Sequence, residues 1–164
     1  MRSCALLLVM VVSAFAAGQN SREAAQVEAA KQSAEAWLSG VDSGNYLGSW
    51  DQADAAFKGG INKMQWERIW KLERAPVGTF QSRNFKKAEF KTHIPEDPKE
   101  DKWVVIQYES TFAQRTATEI IAIKQDQDGQ WRVAGYNVIP GQAVAVAAPS
   151  AESASAEKPA PPPQ

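Results

Sequence analysis

The chain has 164 residues, with 18 Lys and Arg, 19 Asp and Glu, one histidine and one cysteine. Setting aside Arg2 and the charges of the last 24 residues leaves 16 basic against 17 acidic side chains, which excludes the basic footprint of nucleic-acid or anionic-membrane binding. The lone Cys4 lies near the N-terminus, so disulfides, a thiol nucleophile and thiolate metal sites are excluded from the rest of the chain.

Composition divides the chain into three. Residues 1–18 run from Arg2 through the apolar "CALLLVMVV" to the small residues "SAFAAG". That is the layout of a secretory signal, and its apolar run is shorter than the roughly 20 residues a bilayer span needs. The expectation is a secreted, periplasmic protein with no stable membrane insertion after cleavage. Residues 20–140 are long enough to build one core. Residues 141–164, "GQAVAVAAPSAESASAEKPAPPPQ", lack aromatics and periodicity, so burial cannot offset their ordering entropy and a disordered tail is expected.

In chain order, Asn20 and Glu23 form a capping-box pair for a first helix. Val27, Ala30, Ala34, Trp37, Leu38 and Val41 give it one apolar stripe, and Gly44 suits a left-handed stop. Asn45 caps a second helix running to Gly59-Gly60, with Tyr46, Trp50, Ala53 and Phe57 on one face and Asp54 about 40° from Trp50. Asn62 and Gln65 open a third, which buries Trp66, Ile69 and Trp70 and stops at Ala75-Pro76.

Beyond Pro76 the period becomes two. Phe80, Phe85 and Phe90 break strict alternation, as a bulge in a bent strand does. A polar turn "PEDPKED" follows. In the next strand Val104, Ile106, Tyr108, Ser110 and Phe112 share one face, with Trp103, Val105 and Glu109 on the other. A third strand groups Glu119, Ile121 and Ile123. Asp128-Gly129 turns the chain into a last strand, "WRVAGYNVI". Helices followed by a meander predict an α+β domain, with the N-terminal helices packed on a curved four-stranded antiparallel sheet.

The quoted segments "VDSGNY", "RAPVGTFQSR", "VVIQYESTFA" and "GQWRVAGYNV", with tryptophans between them, resemble the secreted bacterial family called domain of unknown function 4019, over about residues 34 to 139. The order of elements is also similar to the NTF2-like (cystatin-like) cone. These resemblances imply a secreted bacterial domain with a concave sheet. They bring no established activity or catalytic residues, and a shared superfold does not carry function with it.

The chemistry available is narrow. His93 shares its strand parity with charged residues near a turn, so no metal site and no cofactor are expected. One route to catalysis remains. A carboxylate held in an apolar pocket, Asp54 or Glu119, would act with a tyrosine, as in a cone-type isomerase or dehydratase. Each has a structural counterpart: Asp54 pairing with Lys58, and Glu119 meeting Arg115, Arg132 or Arg83. Tyr108, Tyr136, Trp50 and Trp70 are the residues that would line a ligand cavity. The favoured reading is a non-catalytic module for a small apolar ligand or an envelope protein, with a homodimer through Trp103 and Val105 as a further expectation. A structural envelope protein tethered by its tail is the third.

Overall fold

A computed structural model describes residues 5–94 and 101–144, with side chains from residue 20 onward. Beyond Val144 the expected tail lies outside the described residues, but its first three residues, 141–143, instead continue the last strand and pair with the one before it; most of the polar turn "PEDPKED" and the first four residues of the leader also lie outside. Four helices precede four strands: α1 (Ala5–Asp42), α2 (Tyr46–Gln52), α3 (Ala55–Gly60), α4 (Lys63–Arg74), β1 (Phe80–Lys91), β2 (Trp103–Phe112), β3 (Arg115–Gln125) and β4 (Trp131–Ala143). The chain is α+β. Among the described residues, no helix is long and apolar enough to cross a membrane.

The helix layer corrects the sequence reading twice. The first helix passes straight through Asn20 as one 38-residue element, so Asn20 is an interior residue and not a cap. Helical hydrogen bonding is cooperative, and a cap residue does not stop a helix whose upstream turns already supply its N–H groups with carbonyls. The second expected helix is two. Ala53 and Asp54 adopt extended backbone, and the Asp54 carboxylate accepts a bond from Ala56 N at 2.8 Å as the N-cap of α3. The break is drawn by the sheet, because Asp54 N donates to Val133 O of β4 at 2.8 Å. A tertiary hydrogen bond outweighs one more turn of intrinsically weak helix.

Other local signals act as expected. Gly44 has φ of 78°, and Gly44 N and Asn45 N cap the carbonyls of Val41 and Gly40 at the end of α1. Asn62 and Gln65 form a reciprocal capping box on α4.

The sheet is an antiparallel meander in the order β1-β2-β3-β4. Register shifts at Phe80/Ser82 and Phe85/Lys87 are the bulges that the uneven phenylalanine spacing called for. One face lies under the helices and carries Val104, Ile106, Tyr108, Phe112, Ile121 and Ile123, all buried. Ala30, Ala34, Trp37, Leu38 and Val41 of α1 meet it in one core. The space that an open cone would leave is filled by rings. Trp37, Trp66, Trp70 and Tyr136 stand in successive edge or tilted contacts, with centroids 4.4 to 6.0 Å apart. Trp37, Trp66 and Trp70 are buried and Tyr136 is half-buried against the same core. Ile69, expected inside, is 42% exposed on the outer face of α4, because the buried stripe runs Trp66, Trp70, Arg74 at i, i+4, i+8.

Candidate functional site

Under the helices at one end of the sheet lies a cluster of four ionised and two hydroxyl side chains drawn from six elements. Asp42 ends α1 and Arg74 ends α4. Arg83, Ser110, Glu119 and Tyr136 come one from each strand, across the covered face.

Arg83 is the hinge of the cluster. Its Nε and Nη2 donate to Glu119 at 2.7 and 3.1 Å, and its Nη1 and Nη2 donate to Asp42 at 2.9 and 3.2 Å. Such fork-to-fork pairing is the strong form of the interaction. Arg74 Nη2 donates to Asp42 at 3.0 Å and to the Tyr136 hydroxyl at 2.7 Å, and lies 3.4 Å from Glu119. The Ser110 and Tyr136 hydroxyls each donate a short bond to Glu119. The two guanidiniums also rest on aromatic faces, Arg83 on Phe80 at 4.4 Å and Arg74 on Phe112 at 4.8 Å.

Glu119 is 0% exposed, and every direction to its two oxygens is occupied. Burial pushes its carboxyl pKa upward, but the hydrogen bonds and charge of Arg83, with those of Ser110 and Tyr136, outweigh burial and hold it below the ordinary range. A general acid needs the opposite shift. Burial, with the Glu119 charge next, raises the Tyr136 phenol well above its usual value, so it stays a neutral donor. Burial and then the neighbouring Glu35 raise the Tyr108 phenol too. Two carboxylates and two guanidiniums cancel, which is the condition for keeping charge inside a protein.

The other residues singled out from the sequence do not gather here. Asp54 is buried as the α3 cap, 3% exposed, and Lys58 reaches the Asp51 carbonyl at 2.5 Å instead of pairing with it. Trp50 donates its indole N–H to Ile61 O at 2.9 Å. Trp70 meets Trp66 edge-to-face and Tyr136 at a tilt. Tyr108 donates to Glu35 at 3.3 Å. Of the three partners considered for Glu119, the sheet delivers Arg83. Arg132 instead holds Asp126 and Asp128 in the β3–β4 turn. His93 is exposed, and among the described residues no group of His, Cys, Asp or Glu is placed to hold a metal ion.

Asp42, Arg74 and Ser110 were missed. Arg74 carried a signal, since it continues the i, i+4 spacing of Trp66 and Trp70 onto the buried face. Ser110 carried one as well, on the parity of Tyr108. Asp42 carried none beyond its place two residues before Gly44.

On its outer side the cluster opens to solvent. Asp42 and Arg74 form one wall of a cleft of about 400 Å³ between the ends of α1 and α4 and the start of β1. Val41, Tyr46, Ala75 and Phe80 supply apolar surface, and Lys71 and Thr79 supply polar groups at the rim. The size is that of a small-molecule site. Arg74 Nε is buried there without a partner. None of Asp54, Glu119, Tyr108, Tyr136, Trp50 or Trp70 lines the cleft.

Comparison with known families finds that the model described as "Protein of unknown function (DUF4019)" matches residues 33–136. No curated protein and no solved structure matches the chain.

Proposed function

From the premise that the chain belongs to the DUF4019 family, we propose that it is a non-catalytic binding module of the bacterial envelope, with the cleft beside Asp42 and Arg74 as its ligand site. The saturation of Glu119 carries this reading. A carboxylate that is fully enclosed, accepts from Arg83, Ser110 and Tyr136, and is held ionised has no proton to give and no free oxygen to take one. The acid–tyrosine pair that an isomerase or dehydratase would use is spent on joining four strands to two helix ends. The cleft gains from that rigidity, because Asp42 and Arg74 are held from behind.

The lining fits a small ligand with an apolar body against Tyr46 and Phe80 and a polar end toward Lys71 and Arg74. Export to the envelope is supported by the charged, apolar and small-residue order of residues 1–18. A homodimer through the outer sheet face has less to offer. Trp103 is 6% exposed, lies under the Lys124 ammonium at 5.1 Å, and cannot serve as an exposed anchor.

Native mass spectrometry of the protein purified from cell envelopes, without refolding, tests the reading. A co-purifying small molecule is expected, and the Thr79→Trp variant, which fills the cleft from an exposed position, is expected to lose it. Retention of the molecule by that variant would place the site elsewhere, and turnover of it would restore the enzymatic reading.

A further inference from the structure

A second concavity lies on the same helix, away from the ion cluster. α1 and the β3–β4 hairpin diverge around a groove of about 400 Å³. Its floor on α1 is made by Ala25 and Ala29, whose methyl groups leave room that larger side chains would close. Ser33 Oγ donates to Trp131 O at 2.6 Å and ties the helix to β4 at the groove's inner end. From Ser33 to Asp42 the helix advances about 14 Å, so groove and cleft are separate sites.

The lining is chemically unusual for this chain. Gln26, Gln32, Gln125 and Gln130 converge on it, with Ser33 and the Trp131 indole, and none of its lining residues is ionisable. Across the whole chain 23% of the residues are charged. A glutamine amide offers two donors and an acceptor together. Gln32 and Gln125 each use one N–H internally, to Glu28 at 3.3 Å and to Gly129 O at 3.0 Å. Among the described residues, the Gln26 and Gln130 side chains have no internal hydrogen-bond partner. The lining itself thus presents neutral donors and acceptors in pairs, with Glu28 engaged by Gln32 and with Asp126 and Asp128 neutralised by Arg132 at the margin.

We infer that this groove binds a neutral saccharide. A hydroxyl is both donor and acceptor, and a row of vicinal hydroxyls matches a row of amides as no anion or hydrocarbon does. Trp131 is only 8% exposed, so recognition rests on the amides and not on an aromatic face. Two or three exchanged hydrogen bonds at the usual net strength place the affinity at about 10 mM. Such binding is insensitive to salt, because no counterions are released.

The test is a titration of the isotope-labelled full chain with chitotriose and, separately, maltotriose, followed through the glutamine side-chain amides and the Trp131 indole N–H. Saturable shifts of these signals with either sugar are expected, unchanged between 0.05 and about 0.5 M salt. The double variant Gln26→Ala, Gln130→Ala is expected to weaken binding about tenfold or more, with the backbone spectrum otherwise retained. Should that variant lose its fold, Ala29→Trp closes the groove from an exposed position and serves instead. Three results overturn the inference: no saturable shift with either sugar to about 100 mM, shifts that survive both variants, or equal binding of a capped alanine tripeptide.

Discussion

Replacing Glu119 by glutamine keeps its shape and removes one charge from the cluster. Arg74 and Arg83 would then share Asp42 alone. Arg74 is 7% exposed and the Arg83 side chain 12%, so solvent does little to relieve the surplus. Breaking a buried pair by removing one partner costs about 3–5 kcal/mol. A domain of this size is stable by about 5–15 kcal/mol in total, so Glu119→Gln should lose roughly a fifth of the stability or more. Urea unfolding followed by tryptophan fluorescence measures it as a large fall in midpoint with unchanged slope. Glu109→Gln is the control. Glu109 pairs with Lys86 on the exposed face, and its loss should change stability by less than about 1 kcal/mol.

The sign of the pH dependence follows from the same geometry. The folded-state pKa of Glu119 is depressed. Its stabilisation is therefore complete above the unfolded carboxylate value, roughly pH 4.3, and is lost as pH falls through the lower folded value. Wild type should lose stability over that acid window more steeply than Glu119→Gln. A loss below about 1 kcal/mol at neutral pH, or equal acid slopes in the two proteins, would refute the account of Glu119 as an ionised structural centre.

Three further outcomes are expected. Asp54→Ala should lower stability by about 1 kcal/mol through the lost α3 cap, while leaving any molecule bound in the cleft in place; mass spectrometry and urea unfolding together check this. Ser49→Ala should cost about 1–3 kcal/mol, since the buried Ser49 hydroxyl accepts the Trp66 indole N–H at 3.0 Å and donates to Tyr46 O at 2.9 Å. Gly44→Ala should cost about 1–2 kcal/mol from the positive φ alone, because a Cβ there meets no atom within 4 Å; thermal unfolding reads it directly.

Local and periodic features were legible in the sequence. The strand faces carrying Val104 to Phe112 and Glu119 to Ile123, the Asn62 capping box and the Gly44 stop are properties of a few neighbouring residues. Side-chain parity, cap chemistry and left-handed backbone do not depend on what lies across the fold. The bulges in β1 were legible for the same reason. The parity of Glu119 even placed it inside, and Arg83 was among its foreseen partners.

What the sequence alone left open was set by contacts between distant elements. The division of α2 from α3 depends on Val133, about 80 residues beyond Asp54, offering a carbonyl at the right place. Asp54 changed from a pocket candidate to a cap by that bond. Asp42 and Arg74 acquired their meaning only when the ends of two helices met over one corner of the sheet. There, mutual neutralisation of four charges is a matter of distance and enclosure, and neither is written in the spacing of residues along one chain.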